Sequence, residues 1–443
     1  MNPIRLVTFI VAVAILAVPQ MSAQNRPGNV DASFQKFWAA RSTADAERIA
    51  DEVTKSGVSF DEALRRLKAG RTYAAQKTGV VKLSTMANGT EYHYALTVPE
   101  NYDPARSYQV RFQLHGGVGG RTSNEPRGNG EIGALAGAEQ FYVIPYAWQD
   151  APWWGDDQAL NLERIVDAIK RSYNIDENRV VVSGVSDGGT GAYYIAMRRT
   201  TPYASITPLN GFIMVLSNGD IDDGTIAPNN LRNKPMFVIN GGRDRLYPIS
   251  NTEPFVKHLM AGGVGIAYHP QPQAEHNTAW WPQMKDTYEK FVSEHPRDPH
   301  PGKLTWETMD LKHNRAHWLV IDQLGAQPGE AKALPDLNAV GVFGSLAKYG
   351  PGDLFKRNTT AGRVDLVRTG NAIEATTKGV SAFTLLLSPD KFDFNQPVKV
   401  TANGKTVFEG RVQRSTATLM RWAARDNDRT MLYAAELKIN LAK

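Results

Sequence analysis

The sequence predicts an α/β fold in which a mostly parallel sheet is flanked by helices, with N-terminal helices before it and a β-sandwich-like domain after it. Strand-like and helix-like segments alternate between residues 79 and 298, which is the pattern of a parallel sheet covered on both faces. Residues 24–78 show helical spacing, and residues 299–443 form short alternating segments separated by turn residues. We therefore expect three successive units: helical, α/β and β-rich.

Residues 1–23 have the composition of a signal peptide. Arg5 precedes an apolar run too short to span a bilayer comfortably, and small residues follow up to Ala23. We expect cleavage after Ala23, a secreted or periplasmic location, and no stable membrane insertion afterwards, with an uncleaved anchor as the alternative. The chain has no cysteine, which excludes disulfides and thiolate metal sites. Its net charge of +5 includes no dense basic stripe, so we expect no nucleic-acid partner.

Amphipathic helices are predicted over residues 31–55 and 60–69. Apolar side chains recur at helical spacing there, from Phe34 to Val53 in the first helix. We expect these helices to pack on the flank of the α/β domain, with a lid or an inhibitory pro-segment as the alternatives.

The α/β domain is predicted to alternate strands with helices. The predicted strands are residues 92–98, 109–114, 141–148, 179–183, 211–216, 236–240 and 265–269, and the predicted helices are residues 160–173, 192–198 and 252–260. In such sheets the functional loops leave the carboxyl ends of the strands, so we expect the reactive side chains there.

Ser186 is the candidate nucleophile because it lies in the sequence GVSDG, between a predicted strand and a predicted helix. The GxSxG pattern holds a serine in a sharp strand-to-helix turn, and only small residues two positions away leave room for that turn. Gly184 and Gly188 meet this requirement. The helix that follows directs its N-terminus at the place where an oxyanion would develop.

A glycine-rich segment, HGGVGG, follows the predicted strand at residues 109–114. Glycines at such a position let backbone N–H groups approach a substrate carbonyl, as in the oxyanion holes of serine hydrolases. We expect the donors to be the N–H of Asp187 and one from Gly116 or Gly117. His115 is assigned a structural role.

The candidate acid and base are Asp244 and His276, which follow two later predicted strands. The chain order serine, aspartate, histidine is that of the α/β-hydrolases. The alternatives are His269 as the base and Asp220, Asp222 or Asp223 as the acid. His269 lies at the end of its strand rather than in the loop beyond it, and the three aspartates follow an earlier strand.

Tryptophans cluster near the same predicted edge of the sheet. Trp148, Trp153, Trp154, Trp280 and Trp281 are candidate substrate contacts, with loop packing as the equally weighted alternative.

The C-terminal domain is predicted to be β-rich. Its predicted strands are residues 305–311, 317–322, 363–369, 372–376, 382–387, 398–400, 406–411 and 434–439. Carbohydrate binding and a plain packing or dimer surface are the two functions weighed for it. His313 and His317 are four residues apart, but the surroundings predict strand and turn, so we expect no metal site.

Residues 79–295 resemble the α/β-hydrolase superfamily, and within it the exported esterases that include polyhydroxybutyrate depolymerases, feruloyl esterases and acetylxylan esterases. The resemblance is carried by the segments VPENYDPARSYQVRFQLHGG, NIDENRVVVSGVSDGGTGA, NGGRDRLYP and AEHN. It implies an α/β-hydrolase fold and a serine esterase that needs no cofactor. The implied substrate is a carboxylic ester, in a polyester or linked to carbohydrate. A prolyl-oligopeptidase-like peptidase and a non-catalytic polymer-binding protein are the alternatives.

Overall fold

The structure is a computed structural model that describes residues 27–124, 135, 137–325, 355 and 360–441. The predicted signal peptide lies outside the described residues. No helix within these ranges has both the length and the apolar character needed to cross a membrane.

Three helices open the described chain: α1 (Pro27–Ala39), α2 (Thr43–Lys55) and α3 (Phe60–Ala69). The prediction of one continuous helix over residues 31–55 is wrong. Ser42 lies in an extended conformation, and its side chain accepts a hydrogen bond from the backbone N–H of Asp45, which starts a separate helix.

An eight-stranded sheet forms the centre of the molecule. Its strands are β1 (Gly79–Ala87), β2 (Thr90–Val98), β3 (Tyr108–Leu114), β4 (Phe141–Pro145), β5 (Ile175–Val185), β6 (Ser205–Leu209), β7 (Met236–Val238) and β8 (Ile266–Tyr268). The order across the sheet is β1-β2-β4-β3-β5-β6-β7-β8. β2 is antiparallel to β1 and β4, and the other pairs are parallel. This confirms the predicted α/β-hydrolase fold.

Four helices cover the two faces of this sheet. They are α4 (Asp156–Ser172), α5 (Asp187–Arg198), α6 (Ile249–Ala261) and α7 (Trp281–Glu294). Strands β3, β4 and β5 are buried and contribute Phe112, Phe141 and Val182 to the largest apolar cluster. The central strands thus lie between two apolar layers, which holds their carboxyl ends at fixed positions.

The strand predicted at residues 211–216 is wrong. A 3₁₀ helix occupies Ile213–Ser217, and the strand that pairs with β5 is β6, which comes earlier in the chain. Ser205 and Thr207 are fully buried within β6, so a buried strand carries polar residues and lacks a clear apolar pattern. Asn210 then adopts a left-handed conformation, with φ of 49°, and ends the strand.

The C-terminal region contains two sheets. Its strands are β9 (Lys303–Thr308), β10 (Arg315–Ala316), β11 (Leu319–Leu324), β12 (Gly362–Thr369), β13 (Ala372–Lys378), β14 (Val380–Leu387), β15 (Val398–Ala402), β16 (Lys405–Gly410) and β17 (Ala435–Asn440). One sheet has the order β10-β11-β14-β17 and the other β16-β15-β13-β12-β9. Trp306, Trp318 and Phe383 belong to the apolar cluster of this region.

A helix that the sequence analysis did not predict, α8 (Thr416–Asp426), lies between β16 and β17. Its apolar side chains, including Leu419 and Met420, form one buried cluster with Phe34 and Val53 of the N-terminal helices. The expected packing of these helices on the α/β domain is therefore wrong for their apolar face, which contacts α8.

Candidate active site

Ser186 lies in the sharp turn between β5 and α5. Its backbone has φ of 58° and ψ of −118°, a conformation that costs a non-glycine residue about 1–3 kcal/mol. The backbone N–H of Ser186 donates to the carbonyl of Leu209 on β6 at 2.9 Å. A Cβ atom at Gly184 would collide with the backbone of Gly188, and one at Gly188 with the backbone of Leu114, so the turn requires both glycines.

The side chains of Ser186, His276 and Asp244 form a hydrogen-bonded chain. Nε2 of His276 lies 2.8 Å from Oγ of Ser186, and Nδ1 of His276 lies 2.6 Å from Oδ2 of Asp244. Each residue follows a different strand of the sheet, β5, β7 and β8. The structure therefore brings together the three side chains proposed from the sequence, in an arrangement that can transfer a proton from the serine hydroxyl to the imidazole.

The carboxylate of Asp244 is buried and remains ionised because of its hydrogen bonds. Burial raises its pKa, but the hydrogen bond with His276 and the backbone N–H groups of Tyr247 and Leu246 outweigh that effect, so the pKa lies below its ordinary value. The two backbone donors lie 2.9 and 2.8 Å from Oδ1. These contacts hold the carboxylate in one orientation, with Oδ2 directed at the imidazole.

The glycine-rich segment lies directly beside the serine. A Cβ atom added to Gly116 would lie 3.0 Å from Cβ of Ser186, and Gly117 has φ of 63°. The N–H of Asp187 is the first of α5 and has no carbonyl partner within that helix. Backbone from both predicted sources thus adjoins the hydroxyl of Ser186.

Asp187 has a contact that the sequence analysis missed. The sequence suggested a role only for its backbone N–H, but its side-chain Oδ2 accepts a hydrogen bond of 2.7 Å from the backbone N–H of Val118. This bond ties the loop that follows Gly117 to the residue that follows the nucleophile. The signal in the sequence was the aspartate within GVSDG, whose partner only the fold reveals.

The side chains of His115 and Trp153 support the loop that carries Gly116 and Gly117. Nε2 of His115 accepts the N–H of Ala147 at 3.1 Å, and its Nδ1 lies 3.0 Å from the carbonyl oxygen of Gly116. The indole N–H of Trp153 donates to the carbonyl of His115 at 2.8 Å. Trp153 is fully buried, so its prediction as a substrate contact is wrong: the indole supports the loop.

Trp280 and Trp281 are also buried, with 5% and 6% of their surface exposed. They pack with Phe237 and Tyr288 in a second apolar cluster at the start of α7, so their prediction as exposed substrate contacts is wrong. The sequence could not separate buried from exposed tryptophans, because both types follow the strand ends.

Trp148 and Trp154 are half-buried. The ring of Trp148 packs on that of Tyr92 at a centroid distance of 5.4 Å, and Trp154 packs against the main apolar cluster. Of the five predicted tryptophans, these two keep an appreciable exposed surface.

Two residues near His276 were not identified from the sequence. The rings of Tyr247 and His276 pack in a T-shaped arrangement, with their centroids 5.5 Å apart. The side-chain amide of Asn210 donates to the backbone carbonyl of Asn277 at 2.8 Å and holds the loop that carries His276. The Asn210-Gly211 pair was a usable turn signal, but it was assigned to the boundary of a strand.

The alternative acid and base residues have other contacts. The ring of His269 stacks on Phe237 at 4.5 Å, and burial lowers its pKa. Asp222 and Asp223 accept hydrogen bonds from the backbone N–H groups two residues further along the chain, and Asp220 is exposed. The hydroxyl of Ser186 and the carboxylate of Asp244 contact His276 instead, and Asp244 also accepts from the backbone of Leu246 and Tyr247.

The two histidines weighed as a metal pair contact different groups. Nε2 of His313 lies 3.2 Å from Oδ1 of Asp156, and Nε2 of His317 lies 3.0 Å from Nζ of Lys234. Within the ranges that the structure describes, no group of three His, Cys, Asp or Glu side chains is arranged to hold a metal ion.

Comparison with known proteins finds esterases. The chain is 28% identical over 180 residues to a probable feruloyl esterase C of Aspergillus terreus, and 25% identical over 182 residues to feruloyl esterase C of Emericella nidulans. Each match covers 38% of this chain and 66% of the relative. A bifunctional acetylxylan esterase/xylanase of Neocallimastix patriciarum is 24% identical over 220 residues, which are 46% of this chain and 30% of that protein.

These matches confirm the predicted resemblance to the feruloyl and acetylxylan esterases. The matched part of the chain spans just under two thirds of the length of the feruloyl esterases. No protein-family model matches the chain. Among solved structures, a ferulic acid esterase superimposes with a TM-score of 0.40 and 16% identity, covering 50% of this chain and 99% of that one.

Proposed function

We propose that the protein is a serine esterase that cleaves carboxylic esters by way of an acyl-enzyme. The observation that carries this proposal is the hydrogen-bonded chain from Ser186 through His276 to Asp244. Asp244 is the orienting acid, His276 the general base, and Ser186 the nucleophile. The names of the curated relatives support the choice of esters.

In the first half of the reaction, Oγ of Ser186 attacks the ester carbonyl carbon while its proton passes to Nε2 of His276. The tetrahedral intermediate carries an oxyanion, which the N–H of Asp187 and an N–H of Gly116 or Gly117 stabilise. One such donor contributes about 3 kcal/mol to lowering the barrier. The bond to the alkoxy oxygen then breaks, and the imidazolium of His276 protonates the departing alcohol.

The second half of the reaction restores the enzyme. A water molecule loses a proton to His276 and attacks the acyl carbon, and the bond between that carbon and Oγ of Ser186 breaks. Ser186 regains its proton and the carboxylic acid departs. Throughout, Asp244 holds the imidazole in the orientation that presents Nε2 to the serine and stabilises its charged form.

The substrate class that we propose is an ester of plant-type polysaccharide, feruloyl or acetyl, and it rests on the relatives' names. Trp148 and Trp154 are the proposed substrate contacts, because they are half-buried and follow β4. Export of the protein is a further part of this proposal and rests on residues 1–23.

The test is hydrolysis of p-nitrophenyl acetate, methyl ferulate, acetylated xylan, a polyhydroxybutyrate suspension and a prolyl anilide. Wild-type protein is compared with Ser186→Ala and His276→Ala, and with Ser293→Ala and His269→Gln as matched controls. We expect ester cleavage by the wild type, a loss of about 10⁴- to 10⁶-fold in kcat for the first two variants, and near wild-type rates for the controls.

Labelling with a fluorophosphonate separates the remaining alternatives. Adduct formation on the peptide that carries Ser186 supports the enzyme, whereas a protein that stays unlabelled and binds polymer without turnover would be a binding protein. Cleavage of the anilide without cleavage of any ester would make the protein a peptidase. Equal rates in Ser186→Ala and the wild type would reject the proposal.

A further inference from the structure

A cavity separate from the candidate active site lies between the α/β domain and the C-terminal region. It has a volume of about 840 Å³ and is lined by α4, the end of α5, the segment that precedes α2, and residues near both ends of the C-terminal region. Ser186 immediately precedes α5 and Arg198 ends it, so the cavity is about 18 Å along the helix from the serine, at a rise of about 1.5 Å per residue. A ligand here does not contact the reacting atoms.

The walls of this cavity carry an excess of positive charge. Among the residues that the structure describes, ten basic side chains and five carboxylates line it. The basic residues are Arg41, Arg164, Lys170, Arg171, Arg198, Arg199, Arg297, Lys312, Arg315 and Arg425, and the acidic ones are Glu47, Glu163, Asp167, Asp426 and Asp428. This excess is local, since the whole chain of 443 residues carries a net charge of +5.

The inner wall is held rigid by ion pairs. Arg171 pairs with Asp167 at 2.8 Å, Arg199 with Glu163 at 2.7 Å, and Arg315 with both oxygens of Asp426. These pairs fix the guanidinium planes without using all of their donors. Nη2 of Arg171 and Nε of Arg199 are buried and have no hydrogen-bond partner among the described residues.

One carboxylate of the inner wall serves two cations. Oδ2 of Asp428 lies 2.8 Å from Nη2 of Arg297 and 3.1 Å from Nζ of Lys170. All three side chains are at most 7% exposed. The floor of the cavity therefore carries one more positive than negative charge, in a place where solvent screens it poorly.

The mouth of the cavity is formed by a second set of cations. Arg41, Arg164, Lys312 and Arg425 are exposed, and none of them forms an ion pair with a carboxylate among the residues that the structure describes. An opening ringed by unpaired cations attracts anions and accelerates their entry.

We propose that this cavity binds a small polyanion, a molecule with at least two carboxylate or phosphate groups. The planar guanidinium groups of the exposed Arg41, Arg164 and Arg425 match the geometry of both kinds of oxyanion. The volume lies within the range typical of small-molecule sites. Apart from His313, no aromatic ring is found among the described residues that line it, so recognition depends on charge rather than on stacking against a sugar face.

The two sources of this chemistry are an oligosaccharide of uronic acids and a free oligophosphate. Isothermal titration calorimetry with trigalacturonate and with tripolyphosphate distinguishes them, and neutral xylotriose serves as the uncharged control. The full chain is used. We expect one saturable site for at least one anion, no binding of xylotriose to that site, and weaker binding as salt is increased.

The decisive variant is Lys312→Gln with Arg425→Gln, which removes two cations from the mouth and leaves the inner ion pairs intact. The matched control is Lys55→Gln with Lys405→Gln, two exposed cations outside the cavity. We expect the mouth variant to bind the anion about fivefold more weakly and the control to bind as the wild type does. Both variants should hydrolyse p-nitrophenyl acetate at the wild-type rate.

Three results would overturn the proposal: no saturable binding of either anion, equal affinity of the mouth variant and its control, or equal binding of xylotriose. None of them bears on the proposed esterase, because the variants leave Ser186, His276 and Asp244 unchanged.

Discussion

Two buried carboxylates, Asp244 at the carboxyl edge of the central sheet and Asp428 at the seam with the C-terminal region, are stabilised in different ways. Asp244 has one side-chain partner, the imidazole of His276, and two backbone donors. Asp428 has two permanent cations, Arg297 and Lys170, and the hydroxyl of Thr430 at 2.7 Å. Burial raises the pKa of both, and in both the hydrogen bonds and charges more than offset it.

The difference shows how the chain separates chemistry from stability. The carboxylate of Asp244 lacks a full countercharge until His276 takes up a proton, so its electrostatic stabilisation is completed only during the proposed reaction. Asp428 is neutralised at all times and joins α4 to the segment that follows α8. We therefore expect substitutions at the first site to change the rate, and substitutions at the second to change the free energy of unfolding.

The largest effect is expected for Asp244→Asn. The amide can still accept the backbone N–H groups of Leu246 and Tyr247, so the fold should persist, but it cannot stabilise the imidazolium of His276. We expect kcat for p-nitrophenyl acetate to fall about 10⁴-fold. Urea unfolding should show a change in stability of at most about 1 kcal/mol, and a retained kcat would contradict the proposed role of Asp244.

The converse substitution, Asp428→Asn, should destabilise the protein by about 3–5 kcal/mol, because it leaves Arg297 and Lys170 buried without a full countercharge. The kcat of the folded fraction should not change. Asp61→Asn is the matched control, since Asp61 pairs with Arg414 at the surface and its side chain is 76% exposed. If the two variants lose equal stability in urea, the buried ion pairs of Asp428 stabilise the fold no more than the exposed pair of Asp61 does.

Acid should lower the free energy of unfolding through a histidine at the boundary between the α/β domain and the C-terminal region. Burial lowers the pKa of His300 to about 4, and Asp390 and Asp298 oppose this shift only in part. The unfolded chain takes up this proton near pH 6.5, so the folded state gains stability above that pH and loses it as the pH falls towards 4. We expect a contribution of up to about 3 kcal/mol.

Urea titrations of His300→Gln at several pH values test this prediction. Between pH 6.5 and 4, the free energy of unfolding should fall less steeply for the variant than for the wild type. The difference between the two slopes should correspond to about one proton taken up on unfolding. At pH 8 the position is neutral in both proteins, so the difference there measures packing alone. Identical slopes for the variant and the wild type would show that the imidazole does not contribute.

The smallest effect is expected for Asp187→Ala. Loss of the hydrogen bond to the N–H of Val118 should loosen the loop that carries Gly116 and Gly117, and we expect kcat to fall about tenfold with little change in KM. Asp187→Asn keeps an acceptor oxygen and is the matched control, which should retain most of the rate. A change confined to KM would indicate a role in substrate binding instead.

Much of the fold was predictable because the strands of the central sheet follow the apolar pattern of buried strands. β3 and β5 lie where VRFQL and VVVS predict them. β6 was missed because its buried Ser205 and Thr207 interrupt that pattern, and Thr207 finds its partner in the hydroxyl of Tyr288 on α7. Helix α8 was not predicted, because the short alternating segments on both sides of it indicate strands in residues 303–443.

At the site, the sequence identified side chains whose types and spacing are restricted by chemistry. Ser186, Asp244 and His276 could be proposed because each follows a strand in a fixed chain order. Some contacts join residues that are far apart in the chain, such as Asp187 with Val118 and Asn210 with Asn277. Such contacts produce no recognisable pattern in the sequence, so they could not be predicted from it. Burial of Trp153 and Trp281 was equally hidden, because a tryptophan after a strand can point inwards or outwards.

The shared apolar cluster of the N-terminal helices and α8 has a consequence for synthesis. Phe34 and Val53 are synthesised well before Leu419 and Leu432, their partners in the same cluster. The first three helices therefore carry an unmatched apolar face until α8 has been synthesised, a state prone to association with other chains. We therefore expect the yield of folded protein to depend on how well this face is protected before α8 arrives, and not on the final stability alone.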